Sequence, residues 1–285
     1  MPKTISNMKS LLIGAFLMTG TFCSQAQMLS TPQPSPSQTI KQNFGVGSIE
    51  LSYSRPGLKG RNVGTDLAPY GKVWRTGANS ATTLQFSDDV TIGGVALKAG
   101  KYGLLSIPGA SEWVIIITKD LNVNQPSLYK QENDLVRVKL PVLKLAEKVE
   151  TFTINFTNFS NNSCDLLLMW DNSAVLLPIA ASTDEKVMKQ INDIFSKDSK
   201  PYYAAAQYYY ENGKDLAKAK EWIDKATQDP ANAKAFYMFL LKARIYQKSG
   251  DKAGAKASAE KTITLATDAK NEEYVKMAQD LLKAL

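Results

Sequence analysis

Between Arg55 and Arg75, five cations (Arg55, Lys59, Arg61, Lys72 and Arg75) stand against one carboxylate, Asp66. A guanidinium pairs with carboxylate, sulfate or phosphate through charge-assisted and often bidentate hydrogen bonds, and an ammonium adds a point charge. Arg55, Lys72 and Arg75 are therefore candidates for holding an anionic group. Tyr70 and Trp74 lie among them and offer flat amphipathic faces on which a sugar or an aromatic ligand can stack. Asn79 follows with both donor and acceptor. Glycines and prolines punctuate the run, which makes it neither a long helix nor a regular strand, and loops carry binding groups more often than framework does. The competing reading is a brace, an irregular edge segment with the arginines paired to nearby carboxylates and Trp74 buried, as tryptophans usually are.

Other chemistries are limited by what is missing. The chain has no histidine, which removes Ser-His-Asp and Cys-His activation and nearly all zinc, copper and non-haem iron sites. Acid–base work would fall to carboxylates, lysine or tyrosine. Asp88-Asp89 is the one adjacent carboxylate pair in the first half, and a turn explains it. Ser127-Leu128-Tyr129-Lys130, Ser160-Asn161-Asn162 and Lys248-Ser249-Gly250 follow the order of the penicillin-binding serine motifs. Their contexts, a Pro-flanked loop first and a helix–helix turn last, are wrong for that chemistry. No catalytic residue, metal ligand or cofactor is assigned. The leading expectation is a non-catalytic binding or scaffolding protein, with an anionic or carbohydrate-like ligand at the basic stretch. The alternative is a histidine-free hydrolase or lyase using carboxylate or tyrosine chemistry in the same cleft.

The elements that must position these groups can be read along the chain. Lys3 and Lys9, an apolar run from Leu11 to Phe22 and small residues at Ser24 and Ala26 read as a secretory leader over residues 1–26. The run is too short to span a bilayer. Cleavage after Ala26 predicts a periplasmic or secreted product with Cys164 as its only cysteine and no internal disulfide. That product carries 32 basic and 27 acidic residues. So mild a balance, without a basic stripe, argues against nucleic acid as a partner. Residues 27–43 read as a Pro/Ser linker.

From residue 44 to 182 short alternating segments recur with turn signals between them: Ser48–Tyr53, Thr82–Phe86, Val90–Ile92, Val95–Leu97, Tyr102–Ile107, Trp113–Thr118, Leu135–Leu140 and Thr151–Phe156. Asp165–Trp170 and Ala174–Ile179 then read as a pair turned at Asp171-Asn172. This is the grammar of an all-β antiparallel sandwich, jelly-roll-like. Cys164 is expected as a small buried hydrophobe.

At Ser182, with Glu185 three residues later, a capping box opens an all-α region over residues 183–285. Tyr209, Gly213 and Ala219 recur as Tyr246, Gly250 and Ala255, with Asn271 to Leu285 as a capping helix. This is the pattern of stacked helical hairpins, tetratricopeptide-like. Tyr202, Tyr203, Tyr208, Tyr209 and Tyr210 crowd two turns and cannot all face the core. Tyr202, Tyr203 and Tyr208 are the candidates for docking a protein partner.

The run from Tyr53-Ser54-Arg55-Pro56 through Gly60-Arg61 to Leu67-Ala68-Pro69-Tyr70-Gly71-Lys72-Val73-Trp74-Arg75-Thr76-Gly77-Ala78-Asn79 resembles the signature of a bacterial exported family. That family is known as the domain of unknown function numbered 2911. Leu97-Lys98-Ala99-Gly100-Lys101-Tyr102-Gly103 to Pro108-Gly109 and Glu112-Trp113 fit the same pattern, and the likeness spans about Phe44 to Ala180. The resemblance implies export in Gram-negative bacteria and a β-rich fold. It carries over no activity and no catalytic residue.

Overall fold

The computed structural model describes residues 31–197 and 200–285. The leader lies outside them, as do the first residues of the expected linker. Ten strands form two antiparallel sheets. They are β1 (Ser37–Phe44), β2 (Gly47–Ser54), β3 (Thr82–Phe86), β4 (Val90–Ile92), β5 (Val95–Leu97), β6 (Gly100–Ile107), β7 (Glu112–Thr118), β8 (Asp134–Pro141), β9 (Leu143–Thr157) and β10 (Ser163–Ala181). The larger sheet runs β1-β2-β3-β6-β7-β8 and the smaller β5-β4-β10-β9. Alternation puts Leu51, Tyr53, Leu84, Phe86, Leu104, Ile115 and Ile117 of the first sheet into one buried core. There they meet Phe152, Ile154, Leu166, Leu168, Trp170 and Leu177 of the second, as two half-buried sheets require.

Two strands depart from the sequence reading. β1 occupies Ser37–Phe44, inside the stretch read as linker. Only Ile40 and Phe44 of its eight residues are apolar, so no alternation marks it. It is held instead by a full ladder to β2 and by hydroxyl pairs, Ser37 with Ser54 at 3.1 Å and Thr39 with Ser52 at 2.9 Å. β10 is a single strand from Ser163 to Ala181 where a hairpin at Asp171-Asn172 was expected. A two-residue hairpin turn of type I′ needs two positive-φ residues. Here only Asp171 has one (φ 52), and the result is a break in the register against β9.

Six helices follow: α1 (Thr183–Phe195), α2 (Tyr202–Glu211), α3 (Leu216–Gln228), α4 (Phe236–Lys248), α5 (Lys252–Asp268) and α6 (Glu272–Lys283). α2–α3 and α4–α5 pack as hairpins, and α6 packs on α5 and α4. Gly213 (φ 63) and Gly250 (φ 81) take the left-handed turns between hairpin arms, where a side chain would be strained. Ala219, Ala226, Ala255, Ala259 and Ala266 are buried at the crossings, and Tyr209 stands edge-on to Trp222 at 4.7 Å.

Only Ser182 separates β10 from α1. Its hydroxyl makes no capping bond, so the expected capping box is not formed; its amide points to Asp89 O at 3.4 Å. The first turn of α1 bonds both units instead. Lys186 pairs with Asp88 of the sandwich, while Asp184 accepts from Tyr208 Oη (2.9 Å) and Lys214 Nζ (2.7 Å) of the helical unit.

Candidate functional site

The basic stretch leaves β2 at Arg55 and closes one end of the sandwich. Leu58 N donates to Glu150 O and Phe152 N to Pro56 O, each at 2.9 Å, so residues 56–58 add to the free edge of β9. Farther on, Trp74 and Ser106 exchange both backbone bonds, at 2.7 and 3.0 Å, extending the first sheet beside β6. The stretch thus staples the second sheet to the first. Its irregularity follows from bridging two sheets within one crossing.

The six side chains expected at a shared ligand site are distributed accordingly. Arg55 donates from Nε to Phe152 O (3.2 Å) and from Nη2 to Thr153 Oγ1 (2.8 Å) on β9. Arg75 donates from Nη1 to Asn124 O in the loop after β7, and its Nε is buried without a partner. Asn79 donates to Ser35 O at 3.1 Å. Trp74 is 8% exposed; it stacks on Trp170 at 5.2 Å and 15° and meets Phe152 edge-on at 4.9 Å. Tyr70 is 46% exposed and its ring lies against Gly64. Lys72 is exposed and has no side-chain bond among the described residues. Arg55 and Arg75 therefore serve different partners, one on β9 and one in the loop after β7. Trp74 is core and offers no stacking face. The bonded members of the stretch form the brace.

The tyrosines are also divided. Tyr202 and Tyr203 border a depression of about 300 Å³ with Lys200 and Lys225, and Lys225 Nζ sits 5.5 Å over the Tyr202 ring. Tyr208 turns toward α1, where burial first, and then its bond to the Asp184 carboxylate, push its phenol up to about 12. Tyr203 instead begins a surface row. It meets Tyr237 at 5.3 Å, Tyr237 meets Phe236 at 6.0 Å, and Phe236 meets Tyr274 at 4.8 Å. The row crosses α2 and α4, the first arms of the two hairpins, and ends on α6, and Tyr237 is 39% exposed. Sequence reasoning found one end of it. Phe236 and Tyr237 begin α4 as an aromatic pair, and that was the available signal.

The joint between the units was not foreseen at all. A cavity of about 370 Å³ lies between the β1–β2 tip and the first turns of α1. Three lysines (Lys98, Lys186, Lys189) and three carboxylates (Asp88, Asp89, Glu185) rim it. Two pairs are already made, Lys98–Asp89 at 2.8 Å and Lys186–Asp88, and the Lys98 bond holds Asp89 below the usual carboxylate range. A second cleft of about 400 Å³ shares Phe44, Val46 and Thr183 with the first and opens toward α2. Cys164 is buried, and burial pushes its thiol up to about 11, which makes it an inert packing group.

Among the described residues no group of three or more Cys, Asp or Glu side chains is placed to hold a metal ion. No described helix is long and apolar enough to cross a membrane. A family model described as a protein of unknown function (DUF2911) matches residues 35–179. Neither a curated protein nor a solved structure matches the chain.

Proposed function

The chain belongs to the DUF2911 family, whose matched residues are those of the two-sheet unit, and from that premise we propose that it is a binding or scaffolding protein of the bacterial envelope. Its helical unit docks a protein segment, and its sandwich carries that unit on a braced joint. The observation behind this reading is the aromatic row Tyr203–Tyr237–Phe236–Tyr274. Tyrosine presents a large contact area at low entropic cost and is favoured at protein interfaces. A contiguous row across α2, α4 and α6 suits an apolar, extended or helical segment laid over them.

Ionisation narrows the roles that some groups could take in a hydrolase or lyase. A carboxylate acting as general acid near neutral pH needs a raised pKa, and a tyrosine acting as base needs a lowered one. Asp184 is shifted down by its bonds to Lys214 and Tyr208, and Asp251 by Gly254 N–H and Lys220. Tyr53, Tyr129 and Tyr246 are all shifted up, chiefly by burial. The shifts leave these two carboxylates poor general acids and these three tyrosines poor general bases near neutral pH. Export rests on the leader at residues 1–26, and an N-terminal mass determination on cell-fractionated protein checks it.

The docking reading is tested in living cells with a photo-crosslinking residue at position 237 and, as control, at Lys261 on α5. Discrete adducts at 237 that disappear in Tyr203→Ala are expected. Equal labelling at both positions, or none at either, sinks it.

A further inference from the structure

We propose that the cleft between the hairpin tips of the sandwich and helices α1 and α2 is a site for a neutral saccharide. The β1–β2 tip contributes Asn43, the β9–β10 tip contributes Phe159, Asn161 and Asn162, and the end of α2 contributes Glu211 and Asn212. Its volume of about 400 Å³ falls in the range of small-ligand sites, roughly 300–1,000 Å³.

The chemistry of the lining selects the ligand class. Four asparagines (Asn43, Asn161, Asn162 and Asn212) line it, and a side-chain amide offers donors and an acceptor that match the vicinal hydroxyls of a sugar ring, although Asn212 Nδ2 already donates to Tyr208 O. Phe159 is 49% exposed, although a hairpin tip has no need of a solvent-facing phenyl ring. It supplies an apolar plate for the C–H face of a pyranose. Glu211 is the only charged lining residue, whereas the neighbouring cavity has six. An anion would therefore meet repulsion and no counter-ion in this cleft. A purely apolar ligand would strand the amides.

A second observation points the same way. Four buried side-chain polar atoms lack a hydrogen-bond partner among the described residues, and two of them, Asn162 Oδ1 and Thr183 Oγ1, belong to residues that border this cleft. Thr183 as a residue is 7% exposed. Buried polar atoms are rarely left unpaired, and a small movement of the wall would open Asn162 Oδ1, and Thr183 Oγ1 where the two cavities adjoin, to an incoming donor.

The walls are already set. Ser160 Oγ accepts from Ser163 N at 3.0 Å and Asn162 N at 3.3 Å, Ala181 N donates to Asn162 O at 2.8 Å, and Asn158 Nδ2 donates to Asp165 Oδ2 at 2.8 Å. On the other side Gln207 Nε2 donates to Glu211 Oε1 and Asn212 Nδ2 to Tyr208 O, at 2.8 and 2.9 Å. Such preorganisation lowers the entropic cost of binding. The inference rests on the reading of the chain as a binding protein but not on the aromatic row.

The test is calorimetric titration of the purified mature chain with maltose, cellobiose and chitobiose, and with glucuronate and inorganic phosphate as anionic controls. At least one neutral disaccharide should bind, more tightly than either anion. Phe159→Ala and Asn161→Ala should each weaken it about tenfold, the size of one lost stacking or polar contact. Both positions are exposed, so the melting temperature should not change. Lys189→Ala, in the neighbouring cavity, should leave the affinity as it was. Three outcomes overturn the assignment: no heat with any neutral sugar, tighter binding of the anions, or full affinity in both cleft variants. In each of these the crosslinking result at position 237 still stands or falls by itself.

Discussion

The sandwich and the helical unit use the same residue types to opposite ends. In the sandwich the arginines and the tryptophan of the basic stretch turn inward or along the surface and bond their own chain, with Arg55 on β9 and Trp74 between Trp170 and Phe152. In the helical unit alanines fill the crossings beside the buried Tyr209 and Trp222, and other aromatics are left partly exposed. The reason is geometric. Two sheets about 10 Å apart need large side chains to fill the gap, whereas close helix crossings need small ones. An exposed aromatic is therefore better evidence of an interface in the helical unit than an arginine cluster is in the sandwich.

The comparison can be broken at four strengths. Trp74→Ala should cost roughly 3–5 kcal/mol, as for a large core aromatic, and lower the sandwich transition alone in differential scanning calorimetry. A single merged transition would show instead that the two units unfold as one. Arg55→Ala should cost about 1.5–3 kcal/mol, the range for hydrogen bonds to a charged donor; urea denaturation measures it, and a neutral result would return Arg55 to the list of binding residues. Tyr246→Phe removes a hydroxyl that donates to Asp224 at 2.7 Å. Lys242 still pairs with that carboxylate at 2.9 Å, so the loss should be only about 1 kcal/mol and confined to the helical transition.

The smallest effect concerns pH at the joint. Asp184 has its folded pKa lowered by Lys214 and Tyr208. Its contribution is therefore present above the usual carboxylate range and lost as pH falls through the folded value. Tyr208 is raised from 10 to about 12, so its contribution is intact below 10 and lost between 10 and about 12. Proteolysis at the joint should accelerate at both extremes. In Asp184→Asn the acid limb should disappear; if it persists, other carboxylates govern the joint.

The parts of the fold that could be read from sequence were those with a period. β3, β6 and β7 alternate or run apolar, and the paired Tyr, Gly and Ala positions mark the hairpins. β1 was hidden because its eight residues are held by backbone and hydroxyl bonds. β10 was divided in two because Asp171-Asn172 resembles a turn, and one positive φ in place of two decides otherwise. The brace was one of two readings of the basic stretch, and sequence could not choose it because Trp74 finds Trp170 only through the fold. Asparagines in the β9–β10 tip resemble ordinary turn formers. Only the approach of α2, from far along the chain, makes a lining of them.

The continuity of β10 with α1 also has a mechanical side. β10 lies between β4 and β9, and one residue later the chain is helix. Tension applied through the helical unit would enter the sandwich along the axis of β10, first through its pairs with β4 at Ile179–Ala181 and then through those with β9 at Asp165–Ala174. Its hydrogen bonds run across that axis, so they would share the load in shear instead of parting one after another from an edge. A protein that holds a partner on its helices would then be anchored through a strand of 19 residues.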